Sequence, residues 1–252
     1  MTETAANAAR DPFIILVEPQ MGENIGAAAR AMWNFGLRGM RAVSPRDGWP
    51  NERAVALASG AGSLLDEAAV FPTTAEAVSD LTYVYATTAR PREMTKRVLT
   101  PEAAAEDARA RIAAGEKVGF LFGKERTGLE NEDIVRANAI VTVPVNPEFP
   151  SLNLAQCVLL VSYELRRAID GTPAESYVTG KSEMATGAAV DRMTDHLVDE
   201  LDEAGFFFPE DKRGSMLVNL RNLFRRAPLT DQDVRTLHGV IRALAEKRRR
   251  KG

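Results

Sequence analysis

Five short apolar runs, spread over the first two thirds of the chain, constrain its fold more than any other feature. They are FIILVEP from Phe13, MRAVSP from Met40, YVYATTA from Tyr83, KVGFLFG from Lys117 and AIVTVPV from Ala139. Their lengths and β-branched or aromatic content suit buried strands. Between them lie Ala-rich segments of helical period, such as NIGAAARAMWNFG from Asn24 and PEAAAEDARARIAAG from Pro101. In the second, Thr100 is placed to cap the helix, Pro101 to take its first position and Gly115 to stop it. Strand and helix in alternation predict an α/β domain, a parallel sheet with helices on both faces. Sites in such folds lie at the carboxyl ends of the strands, so the loops after these runs are where chemistry is expected.

Length adds a second, smaller part. At ~150 residues per domain, a chain of 252 residues holds one full domain and an appendage. An apolar fraction of 45% and a charged fraction of 27% exclude disordered and fibrous classes. No apolar run approaches the ~20 residues that a bilayer helix needs, so no membrane partner is expected. The opening MTETAANAARDPF lacks the basic flank and apolar stretch of a secretion signal. The lone cysteine, Cys157, allows no intrachain disulfide, and a cytoplasmic location follows as the simple expectation. With no base or cation beside it in sequence, Cys157 reads as a small core residue. Two histidines and one cysteine leave no metal site to be expected.

Residues 152–169, LNLAQCVLLVSYELRRAI, form the best helical segment, apolar on most sides until Glu164. Such a helix belongs in a core or at a subunit interface. Residues 170–189 then turn Gly-, Ser-, Thr- and Pro-rich and read as a linker. Three helices are predicted beyond it, over 190–204, 212–226 and 231–250. In the last, Thr230 is a candidate N-cap and Val234, Leu237, Ile241 and Leu244 form one stripe. The domain boundaries are therefore expected at 11–169, 170–189 and 190–252.

The net charge of −3 conceals an asymmetry. From Lys212 onward there are twelve Lys and Arg against three Asp and Glu, so the rest of the chain carries 20 against 32. A basic end on an acidic body suits a polyanion partner, RNA or DNA, with Arg221, Arg225, Arg235 and Arg242 as a candidate outer surface. The plainer reading is a solvated basic tail, Lys247-Arg248-Arg249-Arg250-Lys251.

Two apparent motifs are decoys. Gly60-Ala61-Gly62 has no strand before it and Leu65 where a dinucleotide fingerprint needs glycine. The stretch from Gly119 to Lys124 is one residue short of a P-loop, and Glu125 stands where Ser or Thr is required. Three other loops carry more. PQMGENIGAAARAMWNFG follows the first strand; Asn24 suits an N-cap, Gly26 a close approach, and Arg30 is a lone charge on the helix that follows. FGKERTGLENED places the charged turn Lys124-Glu125-Arg126 between Gly123 and Gly128. In PVNPEFPSLNLAQ, Pro144, Pro147 and Pro150 stiffen a chain that enters a helix near Ser151 or Leu152, with Ser151 a candidate N-cap. Taken singly, each has an ordinary structural explanation.

Taken together and in this order, Asn-x-Gly-x-x-x-Arg, Phe-Gly-x-Glu-x-x-Gly-Leu and Ser-Leu-Asn-Leu resemble the SpoU/TrmH branch of the SPOUT RNA methyltransferases. The likeness spans about Phe13 to Ile169. NPEFPSLNLA together with TTAR at residues 87–90 is most similar to the TrmJ group, and GFFFPEDKRGSMLVNLRNLFRRA from Gly205 is similar to that group's C-terminal region. The resemblance implies an α/β fold closed by a C-terminal trefoil knot, a homodimer, and S-adenosylmethionine as methyl donor. It implies methylation of a ribose 2′-oxygen in tRNA, at nucleotide 32 of the anticodon loop, on cytidine, uridine or both. By motif, Thr87, Thr88, Ala89, Gly123, Val143, Pro150, Ser151 and Leu152 would hold the cofactor. Asn24, Arg30, Glu125, Ser151 and Asn153 match the catalytic polar positions. Pro150 stands where the family often has Ser, leaving only its carbonyl for bonding. The rival readings are the same chemistry on ribosomal RNA or another tRNA position, a non-catalytic RNA-binding protein, and a generic nucleotide enzyme. The absent phosphate fingerprints disfavour the last.

Overall fold

The computed structural model describes residues 11–89 and 95–249; the N-terminal stretch, Arg90 of the TTAR segment, and Arg250 and Lys251 of the basic tail lie outside them. The chain divides into two compact units, one ending at Thr172 and one beginning at Pro173.

The first unit is built on a seven-stranded sheet in which every pairing is parallel. Its strands are β1 (Phe13–Val17), β2 (Met40–Val43), β3 (Ala69–Phe71), β4 (Tyr83–Thr87), β5 (Arg97–Leu99), β6 (Val118–Phe122) and β7 (Ala139–Val141), in the spatial order β3-β2-β1-β6-β4-β7-β5. All five predicted strands are present, and β3 and β5 are additions. Each is a three-residue edge strand with an exposed side-chain pattern, too short and too wet to mark itself in sequence. The α/β expectation with helices on both faces holds. One apolar cluster joins Ile14, Leu16, Tyr85, Phe120 and Phe122 to helices α1 (Gly22–Asn34), α2 (Glu52–Ala58), α3 (Gly62–Asp66), α5 (Pro101–Ala113) and α7 (Leu154–Arg167). The opposite cluster packs Ile15, Val17, Val84 and Leu121 against α4 (Thr74–Ala77) and α6 (Asn131–Val135).

Local chemistry explains several boundaries. The Thr100 hydroxyl accepts from the Ala103 N–H at 3.3 Å, Pro101 opens α5, and Gly115 follows it at φ +86°. Gly26 does allow a close approach: a Cβ there would lie 2.2 Å from the Ala54 carbonyl oxygen of α2. Arg41, a buried cation in β2, reaches Asp80 at 2.6 Å and lies over the Phe13 ring at 3.8 Å. That guanidinium holds the Asp80 carboxyl down at about 2.

The sheet order positions the site. The chain lays down β1, β2 and β3 outward, then crosses to β4 and returns to place β6 between β1 and β4. The carboxyl ends of β6, β4 and β7 thereby become neighbours, and the three loops that leave them share one edge of the sheet.

The second unit holds α8 (Gly187–Glu203), α9 (Arg213–Arg225) and α10 (Asp231–Arg249) around Val190, Met193, Val234 and Ile241. Thr230 does cap α10: its hydroxyl accepts from the Asp233 N–H at 3.2 Å while the Asp233 carboxylate accepts the Thr230 N–H at 2.8 Å. The stripe on α10 differs from expectation at its end. Leu244 is exposed, and Ala245 takes the buried position one residue on. The linker is also shorter than composition implied, since Ala185 donates to the Leu229 carbonyl at 2.9 Å and Met184 bridges Thr230, which ties these residues to the helices. Nor do Arg221 and Arg225 form an open basic surface; they pair with Asp195 and Asp191 of α8 at 3.2 and 2.6 Å.

Candidate active site

Three loops remote in sequence meet through one hydrogen-bonded chain. The Glu125 carboxylate accepts from the main-chain N–H of Gln20 at 2.8 Å, from that of Met21 at 3.1 Å, and from the Asn24 side-chain amide at 2.9 Å. The Asn24 carbonyl oxygen in turn accepts from the Asn153 amide at 2.9 Å. The Asn153 oxygen accepts from Ala155 N–H at 2.9 Å and Gln156 N–H at 3.3 Å, capping α7. Glu125 thus puts a carboxylate at the start of α1, where the helix has no side-chain cap of its own. An anion is favoured there by the unpaired N–H groups and the helix dipole.

These partners correct two expected caps. Asn24 is not the N-cap of α1, which begins two residues earlier at Gly22; its amide is drawn instead to Glu125 and Asn153. Ser151 is not the N-cap of α7, and the helix starts at Leu154 rather than at 151 or 152. Asn153 outcompetes it because its oxygen reaches two N–H groups at once.

The turn carrying Glu125 is closed on itself. The Gly128 N–H donates to the Lys124 carbonyl at 2.8 Å, and Gly128 sits at φ +71°. A Cβ on Gly123 would lie 2.1 Å from the Gly128 carbonyl carbon and the Leu129 nitrogen, so only glycine lets the turn shut. Lys124 anchors its near side through Glu18 at 2.9 Å.

Beside this chain of bonds lies a cavity of about 280 Å³. Thr87, Thr88, Ala89, Gly123, Val143, Pro150, Ser151 and Leu152 all line it, as do Glu125 and Cys157. Its walls come from the ends of β4, β6 and β7 and from the proline-stiffened loop before α7. Thr87 and Thr142 are held by main-chain oxygens, Thr87 donating to the Leu121 carbonyl at 2.8 Å and Thr142 to that of Thr88 at 2.9 Å. Cys157 is half-buried in the cavity lining, where burial pushes its thiol up to about 11. That is the behaviour of an inert packing residue.

Arg30 does not join the bonded chain. It is exposed on α1, makes no hydrogen bond or ion pair with any described residue, and lines a second, shallow depression with Asn153, Gln156, Leu57 and Leu159. Asn153 thus lines this depression, while its neighbours Leu152 and Leu154 line the cavity. Sequence reasoning did not mark Gln20 or Met21, because their contribution is main-chain N–H and no side chain announces it. Among the described residues no group of three or more His, Cys, Asp and Glu could hold a metal ion, and no helix is long and apolar enough to cross a membrane.

Known proteins resemble this chain along most of its length. The SpoU rRNA Methylase family matches residues 11–163, and the tRNA methyltransferase TrmJ C-terminal domain matches residues 188–252. A tRNA (cytidine/uridine/adenosine-2′-O-)-methyltransferase TrmJ from Pseudomonas aeruginosa is 36% identical over 236 residues, 90% of this chain and 91% of that protein. The crystal structure of TrmJ from Z. mobilis superposes with a TM-score of 0.79 at 48% identity, covering 93% of this chain and 99% of that one. An AdoMet-bound rRNA methyltransferase from Sinorhizobium meliloti, 20% identical over 64% of this chain and 57% of its own, shares the fold with a TM-score of 0.51. Two adjoining family matches and a relative alike along nearly its whole length leave one assignment: the chain belongs to the SpoU methylase family and carries the C-terminal domain of its TrmJ members.

Proposed function

We propose that this protein methylates a ribose 2′-hydroxyl of tRNA with S-adenosylmethionine as donor, at nucleotide 32 of the anticodon loop, on cytidine, uridine or both. The observation that carries the reading is the Glu125–Asn24–Asn153 chain standing against a cavity lined by all eight residues that the family motifs mark for the cofactor. The cavity fits the group. Val141, Val143, Leu152 and Leu154 offer apolar walls for an adenosine, and the small residues Ala89 and Gly123 leave main-chain groups within reach. When bound, S-adenosylmethionine supplies an electrophilic methyl on a positively charged sulfur, so the protein's task is placement and proton management.

In this reading Asn24, Glu125 and Asn153 fix the loops that face the ribose, and Ser151 shapes the cavity wall. Arg30, an unpaired guanidinium beside Asn153, orients the 2′-hydroxyl and stabilises the negative charge that grows on its oxygen. A guanidinium holds its proton at any ordinary pH, which makes it a poor base; a neighbouring substrate phosphate is the better acceptor.

The same reading assigns a homodimer and, within the α/β unit, the trefoil knot of the family. Support for the dimer comes from α7, whose Leu154, Val158, Val161 and Leu165 are buried while Leu159, Leu160 and Tyr163 are exposed on its other side. Arg30 lies at the edge of that apolar face, so a second copy would enclose it. A cytoplasmic location is part of the same proposal.

The test is to map 2′-O-methyl groups on tRNA from cells with and without the protein, and to repeat the transfer with purified protein and labelled S-adenosylmethionine. Loss and restoration of the mark at nucleotide 32 is the expected result. A mark appearing only on ribosomal RNA or at another tRNA position would replace this substrate, and no transfer at all would leave a binding protein.

A further inference from the structure

His196 on α8 and His238 on α10 are the only histidines in the chain, and they meet. Their Nδ1 atoms are 2.9 Å apart and their rings stack with centroids 5.1 Å apart. One ring must donate and the other accept in such a pair, so a second proton would break the bond and set two cations face to face. One helical turn away on each helix stands an arginine, Arg192 four residues before His196 and Arg242 four residues after His238, a spacing that shares a helix face.

Neither arginine bonds to any described residue. In the same unit Arg213, Arg221, Arg225, Arg248 and Arg249 all pair with acidic residues of α8, and among its described arginines only Arg226 is likewise without a side-chain bond. Those pairs occupy Asp191, Asp195, Glu200, Asp202 and Glu203, which leaves Asp199 as the unpaired carboxylate of that helix among the described residues. Arg235, on the His238 helix, is bonded to Gln232 at 3.1 Å. Burial first, and then the neighbouring His196, Arg242 and Arg192, hold His238 below the usual histidine range.

We propose that Arg192, His196, His238 and Arg242 form a phosphodiester-binding site that grips the backbone of the RNA substrate. The inference rests on the tRNA reading above and adds the place of contact and its control by pH. Four cationic or cation-capable groups on two packed helices, none bonded to a carboxylate among the described residues, are an incomplete electrostatic arrangement that a phosphate completes. The unpaired acids that share their helix faces by spacing are Asp199, three residues after His196, and Glu246, four after Arg242. An anion between the arginines also removes the penalty on a histidine proton. Binding therefore takes up a proton, and affinity must rise as the pH falls through the histidine range.

The experiment measures binding of a tRNA transcript to the full-length protein by filter retention, from pH 5.5 to 8 and over a range of salt. Wild type should bind several-fold more tightly at pH 5.5 than at pH 8. Arg192→Gln with Arg242→Gln should weaken binding roughly tenfold at low salt and flatten the log–log salt slope by about 1.5, as expected for two lost contacts. Arg192→Lys with Arg242→Lys should restore much of both, which separates lost charge from lost folding. His196→Gln with His238→Gln should abolish the pH response. Wild-type affinity and slope in the arginine-to-glutamine variant, no rescue by lysine, or a pH response that survives loss of both histidines would overturn the site. Methyl transfer by the wild-type protein is assayed on the same transcript. Its absence would overturn the tRNA reading, whereas transfer with indifferent variants would overturn this site alone.

Discussion

Asn24 and Glu125 meet at 2.9 Å although 101 positions separate them in the chain. The contact joins the helix that follows β1 to the turn that follows β6, and β1 and β6 are neighbours in the sheet. Asn24→Asp would set a carboxylate against a carboxylate and remove the amide donor. A loss of about 2–3 kcal/mol is expected, the usual cost of leaving a partly buried charged bond unmade, with methyl transfer falling together with the melting temperature. Glu125→Gln, which keeps two acceptor lone pairs on one oxygen, should cost less. Thermal melts of both variants at pH 7.5 settle the order.

Arg30 invites the opposite result. Being exposed and unbonded to any described residue, it contributes little to the fold, so Arg30→Ala should stay within about 0.5 kcal/mol of wild type. Transfer of labelled methyl should fall by about a hundredfold or more, the scale of losing one oxyanion-stabilising donor. Titration with S-adenosylmethionine should show its affinity nearly unchanged. Retained turnover would remove Arg30 from the mechanism.

Gly123 and Gly128 close the same turn for different reasons, and alanine should distinguish them. At Gly123 the added methyl would overlap main-chain atoms at 2.1 Å, whereas at Gly128 nothing lies within 4 Å and only the positive φ resists. Gly128→Ala should cost about 1 kcal/mol. Gly123→Ala must reopen the turn, with a larger loss of stability and failure of cofactor binding by calorimetry. Equal behaviour of the two would mean that the turn yields easily.

The Arg41–Asp80 pair gives an acid dependence whose sign is fixed. Asp80 is held at about 2 in the folded chain, below the ~3.9 of an unfolded aspartate. Its contribution is therefore complete above about pH 4 and lost as the pH falls from there through 2. Urea unfolding of wild type and Asp80→Asn should differ by a constant amount from pH 5 to 7, and the difference should shrink steadily from pH 4 to pH 2. A difference unchanged between pH 5 and pH 2 would assign the loss to something other than ionisation.

The exposed face of α7 tests the dimer. Leu159→Arg places a charge amid Leu57, Leu160 and Tyr163, all partly or largely exposed in the single chain. Sedimentation should show wild type at twice the 27.5 kDa chain mass and the variant at the single mass, with transfer reduced. Wild type sedimenting as one chain would end the proposal that a second copy encloses Arg30.

What could be read from sequence follows from the length of each signal. Runs such as FIILV and VGFLF are buried along their whole length, so hydrophobicity alone locates them. The three-residue strands AVF and RVL lie at the sheet edges and carry no such signal. The site divides in the same way. Motif order singles out Asn24, Glu125 and Asn153, and the structure joins these three side chains by hydrogen bonds, each being a polar residue set among glycines, prolines or small residues. The caps at Asn24 and Ser151 were misplaced because several polar side chains compete at each helix start, and tertiary partners decide among them. The basic surface at Arg221 and Arg225 failed for a related reason: net charge does not record which acids a folded helix brings alongside.

Asn153 holds Asn24 with one end of its amide and the first free N–H groups of α7 with the other. Because it directly follows Ser151 and Leu152 in the cavity wall, a molecule filling that cavity presses on the same short stretch of backbone. Ligand occupancy, order in the first turn of α7 and the stance of the α1 loop are thus three readings of a single equilibrium, and slowing of Ala155 and Gln156 amide exchange on ligand addition would report all of them at once.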